Sequence, residues 1–393
     1  MDDESLSSYL SEQEDAMFSL LEELVLIQSG TGNKTGVDRV GECITSVLAE
    51  LDLRCVRIGN RDLGDHLLFS TPACGKNGTK KILLTGHMDT VFPKDCGFNG
   101  YEDDGEKITG PGVIDMKGGL VTMIYTVKAL AAHNLLGEIP LTLFFNSDEE
   151  IGSPSSAPLL RDEAGRSCCA LVFECGGLNG EVVTGRRGKR GYRLQINGRA
   201  GHAAFAGTDK PSAILELARQ IDRLEALNDP DRQVVVNVGK IEGGIGPNTV
   251  ADSASALIDT RFPSQESGEW LAGKIELISS GATVNGTQTA LQVTNTRPVM
   301  EQRWENHRLF ELYRRRAESL GLPVREESRQ GVSDANTLAE AGIPVLDGLG
   351  PIGEHDHSER EYMIKQSLPQ RTRILSLFLP DLYRTVCAET KKS

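Results

Sequence analysis

Ile82-Leu83-Leu84-Thr85-Gly86-His87-Met88-Asp89-Thr90 begins as an apolar run and ends with a histidine and an aspartate two residues apart. A short apolar run bounded by glycine or acids fits a strand buried on both faces of a helix-covered sheet. Two runs downstream share this form, Leu141-Thr142-Leu143-Phe144-Phe145 and Leu171-Val172-Phe173. The first of these leads into Asn146-Ser147-Asp148-Glu149-Glu150-Ile151-Gly152-Ser153, and the second into Glu174-Cys175-Gly176-Gly177. Between the runs ending at Gly86 and Phe145, Lys117 to Asn134 is rich in Leu, Ala, Met and Lys and predicts a helix. Strands linked this way hand their following residues to one end of a sheet, where open α/β sheets put their sites.

Upstream, Tyr9 to Gln28 has helical apolar spacing and stops before Ser29-Gly30-Thr31-Gly32. After Gly185 the pattern changes. Tyr192 to Ile196 and Ala254 to Thr260 alternate as half-exposed strands do, and Val234 to Val238 reads as a third strand. Pro211 to Leu227 is an amphipathic helix opening with proline, and Trp270 to Ser279 reads as another. The order is that of a split βαβ domain. Near Thr296-Arg297-Pro298 the α/β character returns. The expected fold is α/β: a catalytic domain with a largely parallel central sheet covered by helices (1–185 and 298–393), interrupted by a smaller α+β insert, ferredoxin-like, at 186–297.

The chain has 393 residues, long enough for two or three cores, with 42 Lys plus Arg against 56 Asp plus Glu and a formal charge of −14. That balance argues against a nucleic-acid partner, because phosphate attraction needs a basic surface. The first residues lack the basic and apolar regions of a secretory signal, and no apolar run is long enough to cross a bilayer. Eight scattered cysteines without a CxxC spacing read as reduced thiols of a cytoplasmic protein.

Each polar cluster has a plain structural account. His87 and Asp89 can be a satisfied pair in a turn. Asp115, in Gly110-Pro111-Gly112-Val113-Ile114-Asp115-Met116-Lys117-Gly118-Gly119, can be a helix N-cap. The acidic run at 148–150 can be a solvated loop. Their combination is harder to dismiss, because three buried strands each deliver a histidine or carboxylate to the same end of one sheet. Downstream, Gly353-Glu354-His355-Asp356-His357-Ser358-Glu359-Arg360-Glu361-Tyr362 adds two histidines. Two histidines and three carboxylates match a divalent site, zinc first, and two ions sharing one carboxylate is the economical arrangement.

The ordered motifs H-x-D, G-x-x-D-x-K-G-G, D-E-E-x-G-S, a glutamate after the next strand, G-x-A-G-H, N-T, S-D-A-N and H-S-x-x-E-Y span nearly the whole chain. In them it resembles the co-catalytic zinc metallopeptidases that include carboxypeptidase G, aminoacylase, acetylornithine deacetylase and succinyl-diaminopimelate desuccinylase, with the glutamate carboxypeptidase branch nearest. The resemblance implies two Zn2+ per chain, replaceable by Mn2+ or Co2+. Asp115 would bridge them, with His87 and Glu174 on one ion and Glu150 and His357 on the other. Glu149 would be the general base and Asp89 the partner of His87. Of the two late histidines, His357 fits because the family's histidine directly precedes Ser or Thr; His355 has no assigned role.

In the insert, His202 matches the lid histidine that completes an oxyanion hole, often from a partner subunit. Asn248 and Arg261 match positions that hold the substrate's carboxylate, although pairing of Arg261 with Asp259 is an open alternative. Ser333-Asp334-Ala335-Asn336 would form a pocket wall. The expected activity is hydrolysis of an amide next to a free carboxylate, carboxypeptidase-like, on a small peptide or N-acyl amino acid. An N-acyl-amino-acid deacylase is the alternative. A silent metal-binding homologue and a mononuclear regulator are further readings. A homodimer through the insert is implied, with no nucleic-acid or membrane partner.

Overall fold

The computed structural model describes residues 3–75 and 80–387. The three apolar runs are adjacent strands of one sheet. Its strands are β1 (Arg54–Ile58), β2 (His66–Ser70), β3 (Lys81–His87), β4 (Leu141–Asn146) and β5 (Ser167–Val172). They lie in the order β1-β2-β4-β3-β5, and the short strand Val345–Leu346 follows β5. β4, β3, β5 and Val345–Leu346 are mutually parallel, whereas β1 and β2 add an antiparallel edge. Every residue of β4 and β5 is buried, as expected for strands covered on both faces. Each fully buried Leu, Ile or Phe there contributes about 1.5–3 kcal/mol of apolar transfer.

The N-terminal helical stretch is two helices, α1 (Asp3–Glu12) and α2 (Glu14–Leu26), broken at Gln13. The helix starts earlier than its apolar spacing suggests, because Leu6 and Leu10 are also core residues. α3 (Lys34–Leu48) follows, then α4 (Gly118–Ala132), which is buried over nearly its whole length. A Cβ on Gly119 would stand 1.9 Å from the Phe173 carbonyl oxygen. Only glycine lets the first turn of α4 come this close to the segment carrying Glu174.

The chain divides into two compact units. One comprises Met1–Gly185, Gln302–Arg329 and Ser333–Ser393, and the other Arg186–Glu301 with Gln330–Val332. The second unit contains β6 (Gly188–Asn197), α5 (Ala213–Glu225), β7 (Val235–Gly243), β8 (Ser253–Phe262), α6 (Gln265–Ser280) and β9 (Gln288–Arg297). Its antiparallel sheet has the order β7-β8-β6-β9, the 2-3-1-4 order of a split βαβ domain. Pro211 lies before α5, and the Ser212 side chain caps it by accepting from the Leu215 N–H. α6 starts ahead of Trp270 because Ser264 caps it in the same way, accepting from the Ser267 N–H.

One sequence expectation is corrected. Cys168, on β5, and Cys387 form a disulfide, 219 residues apart in sequence, while six other cysteines are free. Spacing carried no hint of this pair, because only the folded chain brings its C-terminal turn beside β5. Among the described residues no helix is long and apolar enough to cross a membrane.

Candidate metal centre

β3 ends at His87, opposite Asn146 at the end of β4, and Thr85 of β3 pairs with Val172 at the end of β5. The three following segments therefore start at one edge of the sheet. The His87 Nδ1 lies 2.9 Å from the Asp89 carbonyl oxygen, which can only accept. Nδ1 thus carries a proton, and Nε2 faces Asp115 Oδ1 at 3.0 Å and Glu174 Oε1 at 3.7 Å. Asp115 divides its carboxylate. Its other oxygen, Oδ2, is 3.0 Å from His357 Nε2, which also lies 3.3 Å from Glu150 Oε2.

The Asp89 carboxylate accepts from the backbone N–H groups of Glu149 and Glu150, at 3.2 and 3.3 Å, and from Thr31 Oγ1 at 2.7 Å. One buried acid therefore orients His87 and pins the turn bearing both glutamates. Asp148 turns away from the cluster and accepts from the backbone and hydroxyls of Ser155 and Ser156. The acidic run is thus split, with Asp148 closing the loop and Glu149 and Glu150 partly exposed.

Charge balance at the cluster favours cations. Burial and the neighbouring Asp115 push the Glu150 carboxyl up to about 7, against the opposing effect of His357. Its buried Oε1 has no hydrogen-bond partner, an expensive state for a carboxylate oxygen. His357 is raised to about 11 by its contacts with Asp115 and Glu150. Burial alone would lower His87, but Asp115, Asp89 and Glu174 hold it well above its usual value. A field that holds protons this firmly on two imidazoles also attracts divalent cations, which displace them. The N/O donor set and the orphaned Glu150 oxygen fit such ions.

Sequence reasoning gave no role to several residues here. Glu361 is fully buried and accepts from three backbone N–H groups of the Asp115 loop: Gly112 at 2.9 Å, Ile114 at 2.9 Å and Asp115 at 3.1 Å. It stands within the quoted H-S-x-x-E-Y motif, so the signal was present without its meaning. Burial and Asp115 push Glu361 up to about 8 despite those donors. Lys117 is also fully buried and donates to the Ile27 carbonyl at 2.8 Å; burial lowers it to about 7. Asp356 is exposed and lies close enough to Asp115 and His357 to form a ligand group with them. Its signal was the His-Asp-His tripeptide.

Of the two late histidines, His357 faces Asp115, whereas the exposed His355 ring packs edge-on to Tyr362. Ser333, Asp334 and Asn336, expected to form a pocket wall, are buried. Ser333 and Asn336 form a capping box on the helix Asp334–Glu340, and Asp334 accepts from Asn146 and Ser153 to brace the end of β4.

In the second unit, His202 pairs with Thr249 in a two-residue ladder, and the Ala203 N–H donates to the Asn248 carbonyl at 2.9 Å. His202 and Asn248 are neighbours and both are exposed. Arg261 lies near the far end of β8, about 26 Å from Ser253 at ~3.3 Å per residue. Its Nε donates to Asp259 Oδ2 at 2.9 Å, the pairing left open as its alternative account.

The family model for "Peptidase family M20/M25/M40" matches residues 83–381. The chain belongs to this family. It is 27% identical over 389 residues to carboxypeptidase G2 of Pseudomonas sp. (strain RS-16), covering 97% of this chain and 92% of that protein. The fold is shared with aminopeptidase PepT of Bacillus cereus (TM-score 0.79, 22% identity, 94% and 98% of the two chains). It is also shared with Bacillus subtilis YXEP, described as a dinuclear metal-binding peptidase from the M20 family (TM-score 0.71, 13% identity, 96% and 100%). As an M20 member, the protein is a metal-dependent, carboxypeptidase- or dipeptidase-like hydrolase of peptides, and the buried His87–Asp115–Glu174 group fits its divalent metal.

Proposed function

We propose that the protein is a two-zinc hydrolase that cleaves an amide bond next to a free carboxylate, in the manner of a carboxypeptidase. The divided carboxylate of Asp115 carries this reading. Its two oxygens serve opposite histidines, each accompanied by a further glutamate, Glu174 on one side and Glu150 on the other. Zinc suits this donor set, and Mn2+ or Co2+ can replace it.

Divalent ions held there would supply Lewis-acid polarisation of a carbonyl and a water that is nucleophilic at neutral pH. Glu149 is assigned proton transfer, taking the proton from the attacking water and returning it to the leaving amine. Its neighbour Glu150 is committed as a ligand, so the two adjacent acids divide the tasks. Asp89 fixes the His87 tautomer through the Asp89 carbonyl and fixes Glu149 through the backbone. His202 is assigned stabilisation of the oxyanion, and Asn248 and Arg261 the substrate's carboxylate.

Asn248 precedes β8, whereas Arg261 stands near the strand's far end, about 26 Å from Ser253 at ~3.3 Å per residue, and this placement supports a homodimer. Two groups this far apart cannot grasp one carboxylate from a single chain, so one of them would come from a second copy. A cytoplasmic location remains our reading from sequence.

Metal analysis of the purified protein, paired with a zinc-supplemented screen of C-terminal dipeptides and N-acyl amino acids, tests the proposal. Two ions per chain with hydrolysis of peptides is expected. Turnover of simple N-acyl amino acids alone would move the assignment to a deacylase. One ion, or none, with no turnover would refute it.

A further inference from the structure

Cys168 and Cys169 are neighbours on β5, and in a regular strand neighbouring side chains point to opposite faces. Their sulfurs nevertheless stand only 3.9 Å apart. The ladder between β3 and β5 explains why. Lys81 pairs with Ser167 and Ile82 with Cys169, so Cys168 is an extra residue with no partner across the ladder. Such bulges are rare between parallel strands, and they re-aim side chains. This one brings both sulfurs to Cys387, and the three sulfur atoms lie within 4.8 Å of one another, all on buried residues.

The disulfide between Cys168 and Cys387 uses two of these sulfurs and gives the buried thiol of Cys169 no role. A cross-link needs two cysteines, whereas three converging sulfurs make a ligand set for a soft cation. We propose that Cys168, Cys169 and Cys387 form a thiolate site for a thiophilic divalent cation of the zinc class, filled when the disulfide is reduced.

The spacing suits such an ion. Sulfurs each about 2.3 Å from zinc, at tetrahedral angles, stand about 3.8 Å apart. Cys168 and Cys169 already have that separation. Once reduced, Cys387 can reach it by rotation of its own side chain. The Lys81 carbonyl oxygen, 3.3 Å from Cys168 Sγ, offers a fourth donor.

The chemistry balances. A dithiol, or in the laboratory a phosphine, supplies two electrons as two protons enter the broken Cys168–Cys387 bond. The dithiol closes to its own disulfide, and the phosphine takes oxygen from water to become its oxide. Binding then releases three thiol protons to water and forms three metal–sulfur bonds, leaving one net negative charge. Burial pushes the Cys169 thiol up to about 12, so the ion must displace that proton and binds more tightly as pH rises. Cys168 lies at the start of β5, and Glu174 follows the strand's other end. The ion is therefore a staple, not part of the hydrolytic centre. It ties the turn Tyr383–Cys387 to β5 wherever cellular thiols keep the disulfide open.

The probe is Cd2+, titrated into the metal-free protein before and after phosphine reduction. Sulfur-to-cadmium charge transfer absorbs in the ultraviolet, whereas the N/O ligands around Asp115 give no such band. The reduced parent should develop a band that saturates at one ion per chain, and the unreduced parent should lack it. Cys387→Ser should abolish the band without altering β5, and Cys169→Ser should abolish it while sparing the disulfide. Cys55→Ser, at an exposed thiol, should keep it. Cadmium NMR should place the bound ion in the sulfur-rich range. No band in the reduced parent would overturn the proposal. So would a band equally strong before reduction, or one retained in both Cys387→Ser and Cys169→Ser, since it would belong to other cysteines. Turnover enters none of these readouts, so failure of this site leaves the hydrolase reading intact.

Discussion

The two halves of the proposed metal cluster share Asp115 but are built differently. In one half His87 is 2% exposed and Glu174 8%, and both come from segments just at or beyond the ends of buried parallel strands. In the other half the His357 side chain is 53% exposed and sits on a loop where both His355 and His357 have positive φ, 66° and 61°. Non-glycine residues in that region cost about 1–3 kcal/mol, which the surrounding structure must offset. Hydrogen bonds from the Ser358 backbone and hydroxyl to the His355 carbonyl help to hold the turn. A strand end is rigid because its neighbours fix it from both sides, whereas the backbone that carries His357 is held by its own turn and meets the cluster through the ring alone. The first half should therefore be the more permanent cation site and the second the more exchangeable one.

The largest test of that comparison removes what the halves share. Asp115→Ala should lose both ions and all measurable turnover, and retention of two ions by metal analysis would take Asp115 out of the bridge. Next, Glu149→Ala should keep both ions while kcat falls about 10²–10⁴-fold, the usual range for losing a general base. Loss of metal in that variant would make Glu149 a ligand.

A chelator titration sharpens the contrast itself. Metal should leave in two phases, the first ion faster, and His357→Ala should abolish the fast phase alone. A single phase would mean that the halves are equivalent. Glu361→Gln addresses the loop they share. Its amide offers one acceptor oxygen where the carboxylate offers two, so the clamp on Gly112, Ile114 and Asp115 is broken. Metal affinity should drop about 10–100-fold, as for other residues that orient ligands, and both phases should quicken together. An effect confined to one phase would refute a role in positioning Asp115.

The smallest expected effect is on pH dependence. In the metal-free protein, burial and Asp115 raise Glu150 from 4.5 to about 7. The folded state therefore binds more protons than the unfolded state across that window, and stability falls as pH rises through it. His357 acts in the same direction: its raised value contributes stability below about 6.5 that is lost as pH climbs towards 11. Asp115 is depressed by its histidines, so its contribution is lost only at lower pH, below the usual 3.8. These groups should lower the melting temperature of the metal-free protein by about a few degrees between pH 5 and 8. The buried Lys117, lowered to about 7, opposes part of the drop above pH 7, because there the unfolded state binds the extra proton. Zinc should oppose the drop, because its affinity rises as the ligands lose protons. A metal-free melting temperature that rises over this range would contradict the assigned environment of Glu150.

The sheet strands were legible because burial on both faces leaves an apolar run, and the insert was legible because half-burial leaves alternation. Helix boundaries were less so. Ser264 and Ser212 set the starts of α6 and α5 by capping, a one-residue effect that apolar spacing does not register. The S-D-A-N turn was legible as a motif, whereas its capping of a helix and its bracing of the end of β4 needed the folded chain.

What the sequence determined by itself was the inventory: which residue types could hold a cation, in what order, and next to which strands. These follow from local pattern, since strand period and polar punctuation are properties of neighbouring residues. What only the tertiary structure decided was pairing at long range. The two oxygens of Asp115 face residues 28 positions before and 242 after it, Glu361 reaches back to residue 112, and Cys168 meets Cys387. No spacing rule encodes such contacts, because they arise when separate elements bury their apolar faces together and the polar groups between them must find partners or an ion.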